Sequence, residues 1–107
     1  MGLERLLNQT ATILRKAEVP DGIGGFQDTW LQVGQARVRL SPVRGQKLIL
    51  YQQAGFRVTH TAYAPGDADI RPGDRLQLGS RLFHVESVLN PSEMGHHLEI
   101  LCWEAIQ

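Results

Sequence analysis

Apolar and polar residues alternate most clearly over residues 35–40. Ala36, Val38 and Leu40 share one face there and Gln35, Arg37 and Arg39 the other, the two-residue period of a strand with one buried side. The same period predicts strands over residues 58–63, 75–78, 82–89 and 97–103, the last with Leu98, Ile100 and Cys102 on one face. Residues 10–16 are rich in Thr and aliphatics without a breaker. The Pro20-Asp21-Gly22 and Gly24-Gly25 cluster then predicts a hairpin with a long tip before an extended run restarts at Phe26. Gly79-Ser80 predicts a tight turn with Gly at its first central position. Leu3, Leu6 and Leu7 show helical spacing, enough for one or two turns before the first strand.

Short strands punctuated by Gly and Pro, with no amphipathic helix of ten residues after any of them, predict a mainly β fold. The expectation is a small antiparallel β-barrel or sandwich of about six strands, one domain over residues 1–107. Residues 41–57 fit neither period. Leu48, Ile49, Leu50 and Tyr51 form an apolar block between Gly45 and Gly55, which reads either as a short helix against the barrel or as a long excursion between the second and third strands.

The chain has 107 residues, long enough for one hydrophobic core, and 11 Lys+Arg against 11 Asp+Glu. Overall neutrality argues against a nucleic-acid coat or a membrane-surface protein. The charge is nevertheless partitioned. Residues 29–66 carry Arg37, Arg39, Arg44, Lys47 and Arg57 and no acid, whereas residues 67–107 carry seven acids against three arginines. Such a chain can associate head to tail and offer a basic surface to phosphate; the plain alternative is that the strand arginines are only solvated. One cysteine excludes an internal disulfide framework. With no signal-peptide pattern and no apolar run of about 18 residues, the expected compartment is the cytoplasm, with no membrane contact.

Candidate chemistry is sparse. His96 and His97 are adjacent and point to opposite faces of a strand, so His97 and Glu99 supply at most two ligands on one side, and no metal site is expected. Ser41, Ser80, Ser87 and Ser92 lack a nucleophile elbow or a neighbouring His/Asp pattern. Gly22, Gly24 and Gly25 do not complete a phosphate-binding fingerprint and read as turn residues. Asp67, Asp69 and Asp74 lack the closing Glu of a calcium loop, are interrupted by Pro72, and read as a solvated acidic loop. The aromatic residues are scattered along the chain rather than interleaved with basic ones, and Cys102 reads as a small buried hydrophobe. No cofactor and no catalytic residue are indicated.

Four segments, in order, carry a resemblance: TATILRK; DGIGGFQDTWLQVGQARVRL; SPVRGQKLILYQQAG; and THTAYAPGDADIRPGDRLQLGSRLFHVESVLNPSEMGHHLEILCWE, together about residues 8–104. In this order the chain resembles the small head-tail joining proteins of tailed bacteriophages, the head-closure or stopper proteins, with relatives in gene transfer agents. The resemblance implies a non-enzymatic virion component made in the host cytoplasm. It would form a hexameric or dodecameric ring beneath the portal or adaptor ring, close the exit channel on packaged double-stranded DNA without sequence specificity, and receive the tail terminator or tail tube. In that family the connection between the second and third strands projects into the channel. The matching positions here are 41–57, which puts Arg44 and Lys47 toward DNA and makes Leu48, Ile49, Leu50 and Tyr51 a channel seal or subunit contact, unless the block packs as a helix on its own barrel. The competing function is a free-standing oligonucleotide-binding β-barrel.

Overall fold

The computed structural model describes residues 9–90 and 97–105; the predicted turns at Leu3–Leu7 and His96 lie outside them. Six strands, β1 (Gln9–Pro20), β2 (Phe26–Pro42), β3 (His60–Pro65), β4 (Arg75–Leu78), β5 (Arg81–Leu89) and β6 (His97–Glu104), form a closed antiparallel barrel in the order β1-β2-β3-β6-β5-β4. One helix, α1 (Gly45–Gln53), lies between β2 and β3. Among the described residues no helix is long and apolar enough to cross a membrane.

Alternation decides which side chains face inward. Val38 of β2, Leu76 of β4, Phe83 and Val85 of β5, and Leu98, Ile100 and Cys102 of β6 converge in the core with Ala11 and Ile13 of β1. Burying Phe83, Leu76 or Ile100 stabilises the fold by about 1.5–3 kcal/mol each. The Cys102 thiol sits within this core, and burial pushes its pKa up to about 12. The β4–β5 connection is the expected two-residue turn, with Leu78 opposite Arg81 and Gly79 at φ 61°.

Two expectations are corrected. The first hairpin is longer than its pattern indicates. β1 runs on to Pro20 and β2 is unbroken from Phe26, with only residues 21–25 as the tip, which the Asp21 carboxylate ties by accepting the Ile23 and Gly25 N–H groups at 2.9 and 3.0 Å. Beyond Leu14 of β1 and before Arg39 of β2, neither strand has a second neighbour among the described strands, so the pair projects as a ribbon. A register shift at Ile13/Leu14 marks where it leaves the barrel, as expected of a bulge that bends a strand. The second correction concerns the acidic loop, which is not simply solvated. Asp74 is 2% exposed and accepts both Nε (3.0 Å) and an Nη (2.8 Å) of Arg15 and the Arg71 N–H (2.9 Å), fastening the segment before β4 to β1. Asp69, exposed, takes Arg15 and Arg71 as partners, and the Arg15 contact holds its carboxyl below the ordinary range.

Candidate functional site

The segment that fits no period is the one the barrel leaves uncovered. After Pro42 the chain extends through Val43 and Arg44 and turns into α1, which has no buried residue. No Cα of a described strand lies within 8 Å of a Cα of α1. It is therefore a helix, but one that stands clear of its own barrel. Leu48 and Tyr51 are half-buried, while Ile49 and Leu50 are 53% and 61% exposed and Phe56, just beyond, is also exposed. Arg44 and Lys47 are exposed at the N-terminal end of the same element. No acid occupies the first helical turn and no side chain caps it, so this end keeps its unpaired N–H groups and partial positive charge beside two cations.

The base of this flap is firmly held. Val43 N–H donates to Thr59 O at 3.0 Å, Thr59 N–H donates to Cys102 O at 2.9 Å, and Glu104 N–H donates to Thr59 Oγ1 at 2.8 Å. The glycines Gly45 (φ 65°) and Gly55 (φ 85°) bracket α1 in the left-handed region that side chains disfavour, which lets the chain turn sharply into and out of the helix. The result is a fixed root and a short apolar and basic head.

Arg57, in the returning arm of the flap, places its guanidinium carbon 3.8 Å from the centroid of Trp103 on β6. Trp103 stacks on His84 of β5 (4.2 Å, 18°), His84 meets Trp30 of β2 edge-on (6.5 Å, 79°), and Arg75 of β4 covers Trp30 at 3.9 Å. Aromatic and basic residues that are scattered in sequence thus assemble into one band on the outside of the barrel. Sequence reading misses it because His84 is opposite both Arg75 and Trp103 only through register. Its chemistry is structural: both faces of Trp103 are occupied, by Arg57 and by His84, which leaves no open indole face there for a base to stack on. Burial, then the charges of Arg75 and Arg57, lower the pKa of His84 below the ordinary imidazole value.

The charge partition persists in three dimensions. Each ion pair among the described residues uses Arg15, Lys16, Arg71 or Arg81. Among the described residues Arg37, Arg39, Arg44, Lys47 and Arg57 pair with no carboxylate; Arg39 and Arg57 lie over Tyr63 and Trp103 instead. Among the described residues no three His, Cys, Asp or Glu side chains converge as a metal site.

The phage head completion protein family model matches residues 5–106. Two solved structures share the fold. A chain of the virion of a native gene transfer agent particle is 21% identical, with 94% of this chain and 96% of that one covered and a TM-score of 0.59. Protein SF1141 from Shigella flexneri 2a is 20% identical, with 94% of each chain covered and a TM-score of 0.77. No curated protein matches the sequence.

Proposed function

The chain belongs to the phage head completion protein family, a structural family of the phage particle, and from that premise we propose that it acts as a ring that closes the head's DNA exit and receives the tail. Copies assemble around the channel beneath the portal or adaptor ring with the flap, residues 41–57, turned inward. Leu48, Ile49, Leu50 and Tyr51 of neighbouring flaps meet and seal the opening. Arg44 and Lys47, repeated by symmetry, hold the DNA end through phosphate contacts that carry no sequence information. The partners are therefore further copies of this chain, the ring above, the tail terminator or tube below, and packaged double-stranded DNA. No step in this role calls for catalysis.

The observation that carries the reading is α1: a short helix with Ile49 and Leu50 exposed and no fully buried residue, flanked by Arg44 and Lys47, which pair with no carboxylate among the described residues. Exposed apolar surface of this kind marks an interface, and repetition around a ring supplies the partner that the single chain lacks.

Particles carrying Arg44→Glu/Lys47→Glu, and separately Ile49→Asp/Leu50→Asp, test it through nuclease-protected DNA and tail attachment. The charge variant is expected to lose DNA, with the deficit shrinking as salt screens the attraction in the unaltered particle. The apolar variant is expected to lose DNA at every salt concentration. Retention equal to the unaltered particle in both would refute the closure role.

A further inference from the structure

The chain returns from α1 to the barrel wall over a very short arm. Gly55 N–H donates to Gln52 O at 3.1 Å and Phe56 N–H to Tyr51 O at 2.9 Å, a pair of bonds that closes the C-terminal end of α1 on the left-handed Gly55 and carries the helix geometry as far as Phe56. Val58, on the barrel side, is buried in it. Arg57 is the one residue between them, and its side chain is exposed. Whatever holds Arg57 therefore sets the angle between a closed helix end and a fixed root.

What Arg57 meets is determined by the same root. Thr59 bonds to β6 on either side of Trp103: its N–H donates to Cys102 O at 2.9 Å and its Oγ1 accepts the Glu104 N–H at 2.8 Å. With Val58 turned inward, alternation turns Arg57 outward, the side on which Trp103 stands, and its guanidinium carbon lies 3.8 Å from the indole centroid. His84 backs the other face of Trp103 at 4.2 Å and 18°, so the ring is held from behind. Among the described residues no side-chain hydrogen bond or ion pair joins residues 44–56 to the barrel. Arg44 and Lys47 lie over no aromatic ring among those residues, which separates them from Arg57.

We propose that Arg57 is the positioning residue of the flap: seated on Trp103, it fixes the angle at which α1 leaves the barrel and so the direction in which Ile49 and Leu50 are presented. The seat works because a guanidinium over an indole face is attracted by the ring quadrupole while its methylene stem stays in contact with the barrel surface. This inference rests on the closure reading, in which the apolar residues of neighbouring flaps must point at one another.

Spin labels on Gln53→Cys in α1 and Gln77→Cys on the outside of β4, both exposed, report the flap angle as a distance distribution in the free chain; buried Cys102 stays unlabelled. Arg57→Gln is expected to shift the ratio of seated to unseated flap about two- to five-fold and to raise the access of acrylamide to Trp103, read in a Trp30→Phe background, whereas Arg57→Lys keeps a cation for the ring and stays near the unaltered chain. The thermal midpoint of Arg57→Gln is expected to hold, since the substitution removes no buried group. A distance distribution unchanged by Arg57→Gln would overturn the proposal. In particles, Arg57→Gln and Trp103→Leu are expected to lose DNA alike, because each empties the seat. Loss with Arg57→Gln alone would make Arg57 a phosphate contact and overturn the positioning role; so would retention by both while Ile49→Asp/Leu50→Asp particles leak, an outcome that leaves closure standing. Retention by the Ile49→Asp/Leu50→Asp and Arg44→Glu/Lys47→Glu particles would instead refute closure, with the seat still decided by the distances in the free chain.

Discussion

His84 shows how a single side chain records its surroundings. It lies between Trp103 and Trp30 with Arg75 and Arg57 at the two ends of the band, so a proton on its ring meets both a desolvated site and two cations. His60, edge-on to Phe83, is shifted the same way by burial and Arg81, with Glu104 opposing. The folded pKa of each is thus below the unfolded value of about 6.5, and the unfolded chain binds the extra proton first. This contribution to stability is complete above about pH 6.5 and is lost as pH falls from there through the folded pKa. The urea midpoint is expected to drop between pH 7 and pH 5, and His84→Gln to flatten that slope; an unchanged slope would remove His84 as a cause. Asp74 acts through contacts instead, as a buried carboxylate held by Arg15 and a backbone N–H. Asp74→Ala leaves the Arg15 guanidinium without its best partner and is expected to cost about 3 kcal/mol in equilibrium denaturation. Neither role is legible in the sequence. Arg15 and Asp74 are 59 residues apart, and three acids near Pro72 look the same whether they are solvated or bound.

At the scale of elements, legibility follows burial. The barrel part of β2 is readable because one face is buried and the other wet, which imposes the period of two that Ala36/Val38/Leu40 display; β6 keeps that period in Leu98/Ile100/Cys102 although Leu101 on its other face is buried as well. Beyond the contacts of Arg15 and Trp30 at its root the ribbon has no buried residue and no such constraint, so only its turn residues reveal it and its length stays hidden. The helix is obscure for a related reason: no residue of α1 is fully buried and only Leu48 and Tyr51 are half-buried, so its apolar block runs around the helix rather than along one stripe. The energetic consequence can be measured. Ile49→Ser/Leu50→Ser is expected to leave unfolding within about 0.5 kcal/mol of the unaltered chain, because the groups removed are already in water. An isolated helix of nine residues is marginal by itself, so its amides are expected to exchange rapidly in the free chain and to become protected on assembly. Slow exchange in the free monomer would mean that some other contact holds the flap.

At the scale of the molecule, the same chain presents two surfaces with different physics. The basic block of residues 29–66 is legible as an acid-free stretch, and its five cations pair with no carboxylate among the described residues; which of them would face DNA in the proposed ring depends on where symmetry places them, something no single chain encodes locally. The proposed contact between flaps, through Ile49 and Leu50, is apolar and should be indifferent to salt or strengthened by it, whereas phosphate contacts weaken linearly in log affinity against log salt. Ring integrity and DNA retention should therefore separate as salt is raised, with rings persisting after the hold on DNA has loosened. Replacing Arg44 and Lys47 by Gln is expected to lower the salt slope of DNA binding by up to about two per subunit without changing the flap contact, while Ile49→Ser/Leu50→Ser should do the reverse. If both variants change both properties in proportion, one surface performs both tasks, and the division between the basic and the apolar parts of the flap is wrong.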